Sequence, residues 1–149
     1  MFRQLFVFGL LGLLASPALA ADCKATVEST DAMQFTTKAL TVPAACKQFV
    51  VTVTHTGKLP RKVMGHNFVL GTTADMAGIN ADGMKAGLDN EYVKAGDPRV
   101  IAASKVIGGG ETTTVSIPVA KLKKGESYTF FCSFPGHAAL MKGTLALGQ

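Results

Sequence analysis

Three side chains in one short stretch, FFCSFPGHAALM from Phe130 to Met141, carry donors that suit a soft or borderline metal: the Cys132 thiol, the His137 imidazole and the Met141 thioether. Four residues separate Cys132 from His137 and three separate His137 from Met141, so a single loop can bring all three donors to one point. Calcium and magnesium want oxygen donors instead. A thiolate, an imidazole and a weak thioether suit copper, which alternates between a softer cuprous and a harder cupric state. A further ligand must come from elsewhere. His66, in VMGHNFVL, is the best source, because Gly65 beside it has no side chain to keep backbone away from an ion. Two imidazoles, one thiolate and a long axial thioether make up the ligand set of blue-copper electron-transfer sites.

MGHN around His66 and FFCSFPGHAALMKG near the C-terminus resemble the azurins, small periplasmic members of the cupredoxin family. Plastocyanins and pseudoazurins are similar in fold but have fewer residues between the loop cysteine and histidine, so the spacing here favours azurins. The likeness runs from about Ala21 to the end. It implies an all-β Greek-key sandwich or barrel with a short helical insertion. It also implies a periplasmic one-electron carrier with one mononuclear blue (type 1) copper site, and not an enzyme. Residue by residue, it implies His66, Cys132 and His137 as strong ligands, Met141 as a weak axial ligand and the Gly65 carbonyl opposite. Asn67 is expected to tie the two ligand loops together, and backbone N–H groups near Phe134 to hydrogen-bond the sulfur. Met33, Leu59, Val63, Met64, Met84 and Phe134 would surround the exposed edge of His137 as an apolar docking patch. Such a patch suits brief contact between a monomer and c-type cytochromes or copper-containing reductases, methionines being adaptable contacts.

A cysteine near a histidine also raises a nucleophilic enzyme. That chemistry needs a group to orient the histidine and an oxyanion hole, and no local signature of either is present. A protein that hands copper on would need exposed, exchangeable ligands, whereas Cys132 follows Tyr128, Phe130 and Phe131 and is expected to be buried.

Residues 1–20 read as a cleaved signal peptide: Arg3, an apolar run from Leu5 to Leu14, and Ala18-Leu19-Ala20 as the cleavage site. The run is short of the roughly 20 residues that span a bilayer, so no stable membrane insertion is expected. Residues 21–149 then form a single domain. Without Arg3, fourteen Lys/Arg face ten Asp/Glu, a net charge of about +4. The lysines are scattered without interleaved aromatics, which argues against nucleic acid. In an exported chain Cys23 and Cys46 can pair and leave Cys132 over. The azurin resemblance implies that same bridge.

The elements that must position these donors read as short strands. Ala25 to Ser29, Phe35 to Val42 and Phe49 to His55 are rich in Val, Thr and Phe and are broken by turn residues. Alternation puts Phe49, Val51, Val53 and His55 on one face, so His55 is expected inside as a hydrogen-bonded core histidine and not a ligand; the azurin resemblance implies a place near the copper for it. His66 to Leu70 reads as the next strand, with Phe68 where many azurins have tryptophan. From Thr73 to Leu88 the period becomes helical, with Thr73 as N-cap and Gly87 as stop. Val100 and Ile101 resume strand character, and Ala103 falls where some azurins carry an exposed histidine. Thr112 to Val119 alternates but contains Pro118, which calls for an edge strand or a bulge. Tyr128 to Cys132 presents the thiol, and Met141 to Leu147 closes the fold.

Overall fold

The computed structural model describes residues 22–149, so the signal peptide expected over residues 1–20 lies outside the described residues. Strand alternation sorts the chain into two layers. One sheet runs β2-β1-β4-β7, from β1 (Lys24–Thr30), β2 (Gln34–Phe35), β4 (Gln48–His55) and β7 (Thr112–Pro118). The other runs β3-β9-β8-β5-β6, from β3 (Ala39–Val42), β5 (Val69–Thr72), β6 (Ala102–Ala103), β8 (Tyr128–Phe131) and β9 (Lys142–Leu147). Pairings β1/β4 and β3/β9 are parallel and the others antiparallel. The two sheets make an open sandwich and not a closed barrel.

Between the layers lies the core. On β4 the residues Phe49, Val51, Val53 and His55 are buried, as the period of two requires. Phe130 is its centre, stacked on Phe68 at 5.0 Å and 11° and touched by Phe35 at 5.7 Å. Phe68 thus fills the tryptophan position with a fully buried ring. A disulfide joins Cys23 to Cys46, just ahead of the paired strands β1 and β4. Closing that loop is worth about 3 kcal/mol in the chain-entropy model. β7 is an edge strand, and Pro118 stands at its end opposite Gln48, where a missing N–H is tolerated.

Several boundaries differ from the sequence reading. The run Phe35 to Val42 divides, because the chain leaves the first sheet after Phe35 and enters the second at Ala39. Alternation survives such a crossing, so the pattern cannot reveal it. His66 precedes its strand and forms an isolated bridge with Ile107, with N–H···O distances of 2.9 and 2.8 Å. Helix α2, the second after α1 (Arg61–Met64), spans Met76–Ala86 and not Thr73 to Leu88. Its entry is a turn in which the Thr72 hydroxyl donates to Asp75 at 2.7 Å, so Thr73 is not the cap. Gly87 ends it with φ +75°, a left-handed value that glycine adopts without strain. Val100 and Ile101 lie just before the two-residue β6, and Met141 lies just before β9.

Candidate metal centre

Two separate segments supply the donors. α1 delivers Gly65 and His66, while the end of β8 delivers Cys132 and the turn after it delivers His137 and Met141. That turn is closed by backbone bonds: His137 N–H donates to Phe134 O at 3.0 Å, Met141 N–H to His137 O at 2.8 Å, and Cys132 N–H to Met141 O at 3.0 Å. Gly136, at φ +83°, provides the left-handed step that lets the loop double back.

The ligand atoms of His66, Cys132 and His137 lie within 4.8 Å of one another, and all three residues are buried. Cys132 Sγ is 3.9 Å from His66 Nδ1 and 3.6 Å from His137 Nδ1. A trigonal ion with bonds of about 2.3 Å to sulfur and about 2.0 Å to nitrogen would hold S and N about 3.7 Å apart. The donors therefore already stand at metal-binding separation. Their protonation fits as well. His66 Nε2 lies 2.9 Å from Thr30 O, which makes Nε2 the N–H and leaves a lone pair on Nδ1. Burial lowers the His66 pKa to about 4 and also lowers that of His137, so both rings are neutral near pH 7. Burial pushes the Cys132 thiol up to about 11, against N–H donation from Asn67 and Phe134 that favours the thiolate. A cation must therefore displace the thiol proton as it binds.

A soft thiolate with two imidazoles selects for copper or zinc over harder ions, and comparison with known proteins decides between them. The profile described as copper binding proteins, plastocyanin/azurin family, matches residues 21–148. The chain belongs to that family. Azurin of Bordetella pertussis is 59% identical over 150 residues, covering 99% of both chains. Azurin of Pseudomonas aeruginosa is 56% identical over 147 residues, again with 99% of each chain covered. The solved azurin Az-iso2 of Methylomonas sp. strain J superposes with a TM-score of 0.84 at 47% identity, covering 87% of this chain and 100% of that one. Copper is the ion of this centre.

Around the donors, the family's other positions can be placed. Asn67 Oδ1 accepts from the Ser133 N–H at 2.9 Å, and Asn67 Nδ2 donates to Ser133 Oγ at 2.8 Å. This pair joins the His66 segment to the Cys132 segment. Gly65 O is 3.8 Å from Cys132 Sγ, and any Cβ on Gly65 would collide with Arg61 O and the Val106 side chain. Met141 is fully buried. His55 stands outside the donor set: its Nε2 meets Asp31 Oδ1 at 3.1 Å, and its ring lies 4.3 Å from that of His66. Asp31 in turn accepts from the Lys58 and Leu59 N–H groups, and the Lys58 bond is the main cause of its lowered pKa.

Of the residues read as a docking patch, Leu59, Val63 and Met84 are exposed, Met33 and Met64 are half-buried, and Phe134 is buried. Phe134 lies under the ring of His137, 4.7 Å away. Leu140, at 61% the most exposed large apolar side chain among the described residues, sits in the same turn and was missed. An exposed leucine next in sequence to the buried Met141 carries no pattern that separates it from core. Glu91 and Arg61, which bond around the His66 segment, were missed too, since their contacts are distant in sequence.

Proposed function

We propose that this chain is a periplasmic one-electron carrier between redox proteins, exported by residues 1–20 and built as one domain over residues 21–149. The observation that carries the reading is the buried His66–Cys132–His137 set, held at ligand separation by hydrogen bonds that need no metal. Copper, when bound, supplies a one-electron couple between its cuprous and cupric states. The chain's part is to fix the donors, so that neither state asks for rearrangement, and to exclude water. Asn67 and Ser133 hold the thiol loop from behind, and Thr30 O holds the His66 ring. Met141 and the Gly65 carbonyl would serve the ion as weak donors beside the three strong ones.

His137 serves as the electron's exit. No protein group hydrogen-bonds its Nε2 among the described residues, and the exposed apolar side chains Leu59, Val63, Met84 and Leu140 offer a surface for short-lived docking. Partners of the c-type cytochrome or copper-reductase kind fit such a surface. The burial of all three donors speaks against a copper-delivery protein. Surface depressions lined by Thr72, Arg99 and Tyr128, or by Glu91 and Ser104, share no residue with the donor set.

The test is a spectrum followed by a redox titration. Oxidised, copper-loaded protein should show an intense visible thiolate-to-copper charge-transfer band that disappears on reduction and returns on reoxidation with the metal retained. Loss of copper to a chelator at each cycle would indicate delivery instead, and absence of the band would sink the reading.

A further inference from the structure

Glu91 and Tyr92 are consecutive non-glycine residues with left-handed backbones, φ 58° and 53°. A residue with a Cβ is strained in that conformation and persists there only where its surroundings over-determine it. The contacts of Glu91 show what that conformation achieves. Its main-chain oxygen accepts from Asn67 Nδ2 at 2.7 Å. Its carboxylate Oε2 accepts from the Val106 N–H at 2.6 Å and from Arg61 Nη2 at 2.8 Å. Arg61 Nε also donates to Val106 O at 2.9 Å, so the Val106 peptide is gripped on both sides by one ion pair. Val106 adjoins Ile107, the bridge partner of His66, and Arg61 opens the helix that leads to Gly65 and His66.

The amide of Asn67 has only one orientation that satisfies all its neighbours. Oδ1 must face the Ser133 N–H, and Nδ2 must face both Ser133 Oγ and Glu91 O. Turning it over would set oxygen against the Glu91 carbonyl and nitrogen against an N–H. The Asn67 backbone N–H points at the Cys132 sulfur, and Ser133 follows that cysteine in the chain.

Resting on the copper reading above, we propose that Glu91 is a positioning residue for the copper thiolate, although it is not among the metal's ligands. Its left-handed backbone sets the Asn67 amide, and its carboxylate locks Arg61 to the Val106 peptide. The His66 and Cys132 segments are thereby registered from a third segment outside both. Glu91 and Arg61 are each about one-third exposed, at 32% and 36% for their side chains, so the ion pair alone is worth little. The charge-assisted bond to the Val106 N–H and the carbonyl held on Asn67 carry the effect.

The experiment compares Glu91→Ala, Glu91→Gln and Arg61→Met with Arg99→Met, a change at an ion pair beside α2. Amide hydrogen exchange at Ser133 is followed by NMR in the cuprous and the metal-free protein, together with the visible band and the reduction potential of the cupric form. Glu91→Ala should speed Ser133 exchange by about tenfold, the equivalent of losing one hydrogen bond of ordinary net strength. It should also shift both the band and the potential. Glu91→Gln and Arg61→Met should move the same readouts in the same direction by less, and Arg99→Met should move none. Parent-like exchange, band and potential in Glu91→Ala would overturn the proposal, even with a lowered Tm. If Glu91→Ala does not fold, unchanged readouts in Glu91→Gln and Arg61→Met overturn it instead. Should the parent chain bind no copper, the copper reading fails by itself, and exchange in the metal-free protein still decides whether Glu91 holds Ser133.

Discussion

The copper centre and the ion-pair cluster beside α2 both bury polar groups, and they satisfy them in opposite ways. Beside α2 the Asp97 side chain, 2% exposed, receives Arg99 through its backbone N–H at 3.0 Å, Nε at 2.9 Å and Nη2 at 2.6 Å. Asp82 takes the same Nη2 at 2.7 Å. Opposite charges close that cluster completely, and the Arg99 guanidinium holds the Asp97 carboxyl down to about 2. At the metal centre the donors are kept neutral by burial: His66 is hydrogen-bonded through Nε2, on the side away from Nδ1, and among the described residues His137 Nε2 has no protein partner. A closed cluster needs nothing further, whereas a neutral one keeps its lone pairs for a cation.

The largest expected break in this contrast is Cys132→Ser. On the proposed assignment the thiol gives rise to the charge-transfer band, so the band should vanish and copper affinity should collapse, while far-UV circular dichroism stays that of the parent. Neither the strand pairings nor the Cys23–Cys46 bridge uses a side chain of the donor set. A surviving band would remove Cys132 from the ligand set, and lost β signal would show that the fold does depend on the ion.

Acid should separate the two regions next. In metal-free protein the His66 pKa falls from 6.5 to about 4 on folding, so between those values the unfolded chain binds a proton that the folded chain refuses. Stability should therefore fall as pH falls through that window, by on the order of 3 kcal/mol. Asp97, depressed from 3.8 to about 2, contributes stability that is present above 3.8 and lost as pH drops towards 2. Denaturant titrations from pH 7 to 2 should thus show two separate losses. A flat profile between pH 7 and 4 would contradict the buried, neutral His66.

Arg99→Met sharpens the comparison from the other side. It strands the Asp97 carboxylate without its cation, so Tm should fall by several degrees, as when one partner of a buried pair is removed. The band and potential should not move, because none of the bonds of Arg99 reaches the donor set. A shifted band would mean the two regions are coupled.

The smallest effect expected is at Met141. On the proposed role of Met141 as a weak donor that mildly favours the cupric ion, replacing it with leucine should raise the potential. Glutamine supplies a harder oxygen, so the potential should fall, and copper should stay bound in both. Voltammetry of the two variants checks the order, and equal potentials would remove Met141 from the axial position.

Much of this was legible in the chain because it is local. The spacing Cys132, His137, Met141 describes one turn, and a turn of that length can only bring its own residues together. Alternation along Phe49 to His55 likewise determined which side chains face inward, since successive residues of a strand point to opposite faces. The helical excursion was visible for the same reason, although its start at Met76 depended on the Thr72–Asp75 turn, which no period encodes. Beyond that range the sequence is silent. Nothing in it shows that the run Phe35 to Val42 changes sheets, that β1 pairs β4 in parallel, or that Arg99 reaches back to Asp82. Glu91 looks like any surface acid in a loop. Only the tertiary structure brings its carbonyl to Asn67 and its carboxylate to Val106, because those contacts span 24 and 15 residues of chain and depend on where both sheets place their loops. The sequence by itself determined which donors exist and which turn carries most of them. Packing of the two layers decided their separation, their neutrality and what holds them still, because distance and burial are properties of the closed fold.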